Sequence, residues 1–250
     1  MSVSFKTYKR IGDLRKFSTK TFRATVLIYA DSYLEDVVNS INSVKMNSKD
    51  DVAIYLIISG TPELNQIASI VDARTYVIQI SEGVGWGEAV NSMLKLSNSP
   101  HVIVMDPSTI LMGDAITPVL DKLSENEFSA VGWRGGLVNV EDQWRSVDDR
   151  GVGEVDVLFS YFLGLNREHA IEAGAFNIRA VYYRNADIEF GLKLRQARGR
   201  LWQLELPLSQ GRHHGYYDTD PEYREEQSKK NYDRILQRFR GKTEILSPRR

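Results

Sequence analysis

Apolar and polar positions alternate in blocks along the first hundred residues, and these blocks predict strands and helices in turn. Four continuous apolar runs have the length of a strand, at 24–30, 52–59, 75–80 and 102–106. Runs of this kind, bounded by turn residues, are typical of strands buried on both faces. The alternation of such strands with helical patterns predicts an α/β fold with a mostly parallel sheet, helices on both faces and right-handed crossovers.

Three helices are expected between these strands, and the first and third have apolar residues at helical spacing along one face. The first starts at a capping box formed by Ser32 and Glu35. The second runs over 61–73, beginning at a Thr-Pro pair. The third follows the glycine-containing loop 83–87 and places Trp86 in its apolar stripe, which predicts a core residue rather than a stacking platform.

The second half departs from this alternation and predicts a mixed portion of the sheet. Its expected elements are a helix at 114–123, a strand at 128–133, a loop or hairpin at 135–153, an apolar segment at 155–165, helices at 167–173 and 185–198, a strand at 201–206 and a charged helix over 220–240. Residues 1–23 are polar and basic without a sustained period, so we expect a loosely attached lead-in. Together these elements predict a single domain over 1–250.

Composition narrows the classes of protein to consider. The 250 residues are 42% hydrophobic, which suffices for a sizeable core, and the net charge of -1 gives no global field for nucleic acid or membrane. The absence of cysteine excludes disulfides and thiolate chemistry. No apolar run approaches the roughly 20 residues of a membrane span, and the N-terminus lacks the apolar core of a signal peptide. We therefore expect a cytoplasmic protein without an integral membrane segment.

One carboxylate lies where ligands bind in open α/β sheets. Pro107 cannot continue a central strand, so the strand at 102–106 ends near Asp106, at the rim formed by the carboxyl ends of parallel strands. Asp31 follows the first strand and is expected at the same rim. Each also has a simpler interpretation: Asp106 can start a turn by bonding its own backbone, and Asp31 can help to cap a helix beside Ser32.

Five segments, in this order, resemble a family 2 glycosyltransferase with the GT-A fold. They are the opening strand and helix ATVLIYADSYLEDVVNSINSV, the glycine loop and helix GVGWGEAVNSML, the strand end MDPST, the helix NADIEFGLKLRQARGR and the closing strand with histidines LWQLELPLSQGRHH. Order and spacing agree from about residue 24 to 214. Three positions depart from the family's acidic pattern, namely Ser59, Ser108 and Ala186.

The resemblance implies a nucleotide-sugar donor bound over residues 24–106 and a glycan or other hydroxyl acceptor bound by 107–220, with no nucleic acid as partner. Its donor-binding candidates are Asp31, Gly85, Trp86, Asn91, Asp106 and Ser108. The chemistry needs a divalent metal, Mn²⁺ or Mg²⁺, to neutralise the leaving diphosphate. Asp106, His213 and His214 are the candidate ligands, and a histidine nitrogen would favour Mn²⁺. The segment 221–250 adds a C-terminal helix and tail.

The general base implied by the resemblance is Asp187, at the start of the helix 185–198. The alternative for this residue is a helix cap. Glu189 points to nearly the opposite face, and Lys193 and Arg195 are expected on a solvated face. On the acceptor side, Tyr161 and Phe162 can stack on a sugar ring, although the same residues are equally typical of a buried apolar strand.

The sequence therefore predicts a glycosyltransferase, inverting and metal assisted. Two alternatives stay open. A catalytically silent binding or assembly module with the same fold fits the three departures from the acidic pattern. A nucleotidyltransferase would need a glycine-rich loop near the N-terminus, which the segment 24–35 lacks.

Overall fold

The computed structural model describes residues 5–15, 20–49, 51–62, 64–212 and 218–249. Its strands are β1 (Phe5–Tyr8), β2 (Ala24–Ala30), β3 (Val52–Ser59), β4 (Thr75–Ile80), β5 (His101–Met105), β6 (Thr109–Leu111), β7 (Ala130–Gly132), β8 (Gly135–Val138), β9 (Val147–Asp148), β10 (Gly153–Val155), β11 (Val157–Leu158), β12 (Phe162–Asn166), β13 (Leu201–Gln203) and β14 (Leu208–Gln210). Its helices are α1 (Leu34–Asn47), α2 (Trp86–Leu96), α3 (Ile116–Ser124), α4 (Arg167–Glu172), α5 (Ala186–Gln196) and α6 (Pro221–Phe239).

A nine-stranded sheet runs through the described residues in the order β1-β4-β3-β2-β5-β12-β7-β13-β10. The first five of these strands are parallel; four of them, β2 to β5, are the strands that the sequence predicts, and β1 is additional. Strand β12 lies antiparallel between β5 and β7, and β10 is antiparallel to β13. Two small sheets, β11-β8-β9 and β14-β6, complete the second half. The predicted mixed α/β fold is thereby confirmed.

Helices cover both faces of the sheet because alternate residues of each strand point to opposite sides. Leu27 and Val104 pack on the face that α2 and α5 cover, whereas Ile28 and Met105 pack on the face that α1 and α3 cover. A third apolar cluster joins α5 and α6 to the hairpin of β8 and β9. Among the residues described, no helix has the length and hydropathy needed to cross a membrane.

Three local predictions are wrong. The lead-in contains an edge strand, because β1 pairs with β4 and completes the parallel sheet. The capping box is absent: Ser32 donates its hydroxyl to Asp31, and the residue before α1 is Tyr33, in a left-handed conformation with φ of 51°. The helix expected over 61–73 is reduced to a 3-10 turn at Ile67–Ile70.

Candidate functional site

The carboxyl ends of β2 and β5 and the start of β12 meet at one place, and Asp106 lies there. Its backbone N–H donates to the carbonyl oxygen of Tyr161 at 3.2 Å, which joins the parallel half of the sheet to the antiparallel strand β12. The Asp106 side chain is 0% exposed. The sequence therefore placed this carboxylate correctly at the rim, but it lies beneath the surface.

The Asp106 carboxylate makes several hydrogen bonds. Its Oδ1 accepts from the Ser108 N–H at 2.6 Å and from the Ser108 hydroxyl at 2.7 Å, and its Oδ2 accepts from Gln210 Nε2 at 3.1 Å. The first two bonds form the turn that the simpler interpretation of Asp106 predicts. Gln210 was not singled out from the sequence, since nothing local marks a residue of β14 as a neighbour of β5.

A cavity of about 260 Å³ lies over this rim and is hereafter called the rim cavity. Of the donor-binding candidates, Asp31, Trp86 and Ser108 line it. Its walls are otherwise mostly aromatic, with Tyr29, Tyr33, Tyr182, Tyr183 and Tyr223. Burial, followed by the nearby Asp31 carboxylate, raises the pKa of the Tyr29 phenol, so this group is neutral and donates to the Val84 carbonyl at 2.9 Å.

The charges in the rim cavity are unequal. Asp31, Asp36 and Asp218 contribute three carboxylates, and Arg212 is the cation among the described lining residues. The Arg212 guanidinium lies 2.7 Å from Asp36 and 3.3 Å from Asp218, and it stacks over the Tyr33 ring at 4.6 Å. A diphosphate entering this cavity would therefore need additional positive charge.

Gly85 and Trp86 connect α2 to the opposite wall of the rim cavity. Gly85 precedes the helix, and a Cβ there would lie 3.0 Å from Val181 Cα, so this close approach favours glycine. The Trp86 N–H donates to the Val181 carbonyl at 3.1 Å. Trp86 is 2% exposed and meets Phe176 edge to face, which confirms the prediction of a core residue even though its ring also lines the cavity.

Asn91 is not brought to the rim cavity. Its side chain accepts from the Phe176 N–H at 3.0 Å and donates to the Phe176 carbonyl at 2.8 Å. This pair of bonds fixes the loop that precedes Ala180, which in turn accepts from the Gly87 N–H at 2.9 Å. In the structure, Asn91 positions the wall of the cavity rather than its interior.

A second, larger cavity of about 430 Å³ adjoins the first and is hereafter called the aromatic cavity. Asp187 lines it, with Trp144, Tyr161, Tyr183 and Tyr232 among its walls. Tyr183 lines both cavities. Burial, then the Asp187 and Asp106 carboxylates, raise the pKa of Tyr161 to about 12, which indicates that both aspartates lie close to this phenol.

Asp187 lies in the first turn of α5 and is 7% exposed. Its Oδ2 accepts from the backbone N–H and the hydroxyl of Ser160 at 2.9 and 3.2 Å, and its Oδ1 accepts from the Ile188 N–H at 2.9 Å. The residue before the helix is Asn185, with φ of 67° and no side-chain cap bond. Asp187 is thus oriented toward the loop before β12 by Ser160, a contact that the sequence did not reveal.

The match to a known family decides what kind of fold surrounds these cavities. Residues 26–190 match Glycosyl transferase family 2. The chain belongs to this family. The matched segment includes Asp31, Asp106 and Asp187, and it contributes residues to both cavities. No curated protein sequence matches this family 2 chain.

Two solved structures show the same fold. The mannosyltransferase PcManGT from Pyrobaculum calidifontis, in complex with GDP-Man and Mn²⁺, has a TM-score of 0.58 and 12% identity, covering 77% of this chain and 57% of its own. GalNAc-T7 with UDP, GalNAc and Mn²⁺ has a TM-score of 0.66 and 13% identity, covering 88% and 48%. The family 2 chain thus has a GT-A fold and spans about half the length of these structures.

The residues available for a divalent metal fit the ion only in part. Asp106 offers a carboxylate, and next to it Gln210 Oε1 is a buried oxygen with no hydrogen-bond partner among the described residues. Both are hard oxygen donors of the kind that Mg²⁺ and Mn²⁺ accept. Within the described ranges, no three His, Cys, Asp or Glu side chains form a group able to hold a metal. The predicted ligands His213 and His214 lie outside those ranges.

The prediction that Lys193 and Arg195 face solvent is wrong. Lys193 is 8% exposed and donates to the Ala175 carbonyl at 2.9 Å, and burial lowers the pKa of its ammonium group. Arg195 forms a buried ion pair with Glu154 at 2.7 Å. Glu189 faces away from the aromatic cavity, as predicted, and accepts from Asn177. These three residues stabilise α5 in the fold.

Proposed function

We propose that this family 2 chain transfers a sugar from a nucleotide-sugar donor to a hydroxyl group of a glycan or other acceptor, with inversion and with a divalent metal. The observation that carries the proposal is the pair of cavities that share Tyr183, with Asp187 in the wall of one and Ser108, which donates to the buried Asp106 carboxylate, in the wall of the other. We also propose the division of labour that the family resemblance implies, with donor binding by residues 24–106 and acceptor binding by residues 107–220 within one domain.

The rim cavity would take the donor. Its aromatic walls suit a nucleoside, and Asp31 supplies a hydrogen-bond acceptor for base or ribose. Asp106 and the unpartnered amide oxygen of Gln210 would hold the metal, and a bound Mn²⁺ or Mg²⁺ supplies positive charge against the diphosphate. The excess of carboxylates over Arg212 is the reason that such a charge is needed here.

The aromatic cavity would take the acceptor. Asp187 would accept the proton of the attacking hydroxyl, with Ser160 fixing one carboxylate oxygen and leaving the group oriented. A base on the acceptor side of the sugar, away from the diphosphate, suits a single displacement and hence inversion. A positioned base of this kind contributes about 10²–10⁴-fold to the rate.

Two isosteric variants separate the proposed roles, and each is compared with wild type and with the surface control Asp121→Asn. Asp106→Asn should weaken nucleoside diphosphate binding and remove its dependence on Mn²⁺. Asp187→Asn should leave that binding unchanged and lower transfer by about 10²–10⁴-fold, as expected for an interaction made in the transition state. Thermal shift with a panel of nucleoside diphosphates measures binding. The donor site is wrong if no member stabilises the protein at millimolar concentration.

One observation favours a silent binding module as a second candidate. The Asp106 carboxylate is 0% exposed and bonded to Ser108 and Gln210, as in a purely structural turn. This candidate predicts that nucleotides bind with no metal dependence and that neither transfer nor donor hydrolysis occurs. If Asp187→Asn lowers the melting temperature and spares transfer, the base assignment is wrong and Asp187 only supports α5.

A further inference from the structure

The loop at the tip of the β8–β9 hairpin forms one wall of the aromatic cavity, and its backbone is strained. Gln143 and Trp144 both have positive φ, 63° and 70°, a conformation that bulky residues rarely adopt. Trp144 is held there by its N–H, which donates to the Asn139 carbonyl at 2.9 Å, and by its own carbonyl, which accepts from the Tyr232 hydroxyl. The Trp144 indole is 5% exposed and packs in the third apolar cluster, so the strained turn holds it within the cavity wall and places Arg145 at the cavity edge.

The Arg145 guanidinium lies at the edge of the cavity and acts electrostatically on the Asp142 carboxylate. It is exposed, and in the part of the chain that the structure describes no carboxylate lies within ion-pair distance of its guanidinium. The nearest acid in sequence, Asp142, instead accepts from the Arg145 backbone N–H at 2.8 Å and from the Ser146 hydroxyl. The side-chain hydrogen bond from Ser146 is the main reason that the pKa of Asp142 is lowered.

Positive potential also reaches the cavity from α5. Arg184, half-buried just before this helix, lines the same cavity. Burial and then the Asp142 carboxylate raise the pKa of Tyr232, an effect that Arg145 partly offsets, and Arg184 likewise partly offsets the raised pKa of Tyr161. Two cations, Arg145 and Arg184, therefore line the cavity together with the Asp187 carboxylate, and the Asp142 carboxylate lies near its edge.

We infer that the aromatic cavity binds a sugar carrying a negatively charged substituent, a carboxylate or a phosphate, with the ring against the partly exposed walls of Tyr161 and Tyr232 and the charge at Arg145. This inference rests on the proposed function only in taking the sugar to be the acceptor. The volume of about 430 Å³ suits one or two sugar rings. Aromatic faces pack against the C–H face of a sugar ring, and a planar guanidinium bonds a carboxylate or phosphate at two points.

The test uses matched sugars that differ in one substituent, titrated into the full chain and followed by ligand-observed NMR. The pairs are the methyl glycosides of glucose and glucuronic acid, those of galactose and galacturonic acid, and the two neutral sugars against their 6-phosphates. We expect at least one anionic member to bind about fivefold tighter or more than its neutral partner, as a charge-assisted pair at a partly exposed site allows. The preference should shrink at high salt. The carboxylate and phosphate pairs distinguish the two sources of charge.

Arg145→Gln should remove the preference, whereas the matched control Arg150→Gln should keep it, because Arg150 lies on the same hairpin, pairs with Asp148 and does not line the cavity. The inference is overturned if no sugar binds, if every pair binds equally, or if the preference survives in Arg145→Gln. Nucleoside diphosphate binding, measured on the same samples, separates this from the proposed function. If nucleoside diphosphates bind but the anionic sugars bind no tighter than the neutral ones, only the inference is overturned. If anionic sugars bind tighter through Arg145 but no nucleoside diphosphate binds, only the proposed function is overturned.

Discussion

At the scale of single residues, the buried side-chain amide of Asn91 fixes the backbone of a loop that leads into the wall of the rim cavity. Asn91 is 6% exposed and satisfies both the N–H and the carbonyl of Phe176. Asn91→Ala should lower the free energy of unfolding by about 1–3 kcal/mol, since it leaves buried backbone groups without partners. Urea unfolding measures the loss, with the exposed Asn65→Ala as a near-neutral control. Weaker nucleotide binding with unchanged stability would instead support the donor contact that the family resemblance implies.

The Asp72 carboxylate, which lines neither cavity, makes the free energy of unfolding depend on pH in the acid range. Although partial burial acts to raise its pKa, hydrogen bonds from the Lys45 ammonium and the Arg74 backbone N–H lower the pKa of Asp72 to about 2. The pKa of Asp72 is lower in the folded state than its value of about 3.9 in the unfolded state. The ionised carboxylate therefore stabilises the fold above pH 4, and this stabilisation is lost as pH falls toward 2. Asp72→Asn should therefore cost about 1 kcal/mol at neutral pH, a value reduced for solvent exposure. The difference from wild type should vanish near pH 2 in pH-dependent urea unfolding, and a constant difference would contradict the ionic origin.

The residues of the candidate site were predictable where their position follows from the chain itself. Asp106 follows a buried strand and precedes proline, so its place at the rim could be derived before the structure was known. Lys193 and Arg195 were misplaced because the groups that allow their burial, the Ala175 carbonyl and Glu154, lie 18 and 41 residues away in the sequence. A helical pattern alone does not reveal such distant partners.

At the scale of elements, the first turn of α2 docks against the loop that carries Ala180. A Cβ on Gly87 would lie 2.2 Å from the Asn177 carbonyl oxygen, which is backbone and cannot move aside cheaply. Gly87→Ala should therefore destabilise the fold by about 1–3 kcal/mol and weaken nucleotide binding, because the displaced loop walls the rim cavity. Gly12→Ala, where a Cβ meets nothing within 4 Å, is the control. Thermal unfolding and nucleotide titration of both variants measure these two effects. If Gly87→Ala and Gly12→Ala are equally stable, the close contact at Gly87 is refuted.

The elements that the sequence predicted best are those with one dominant signal. Strands β2 and β4 match their predicted bounds because continuous apolar runs are buried on both faces of a parallel sheet. The helix expected over 61–73 failed because Ile67 and Ile70, both buried, have a spacing that suits a single 3-10 turn equally well. Asp72 then accepts from the Arg74 and Thr75 N–H groups and leads the chain into β4.

At the scale of the whole molecule, strand order brings the two cavities together. The antiparallel strand β12 pairs Phe162 with Met105, so the chain before β12 passes directly over Asp106. This pairing joins segments 57 residues apart, and no local pattern fixes it. The sequence therefore predicted both halves of the molecule but not the contact of Tyr161 with Asp106 between them.

Because Tyr183 lines both cavities, we expect binding in one to be thermodynamically linked to binding in the other. A ligand that moves this ring in one cavity changes the surface that the other ligand meets, so each must alter the affinity of its counterpart by the same factor. We expect an acceptor sugar to change the dissociation constant of a nucleoside diphosphate by about fivefold or more, and the reciprocal titration to return an equal factor. Tyr183→Ala should abolish the linkage, whereas Tyr223→Phe, on the rim cavity alone, should preserve it. If the two ligands bind the wild type independently, the Tyr183 ring does not move on binding. The ligands could then bind in either order, each with an affinity that the other does not change.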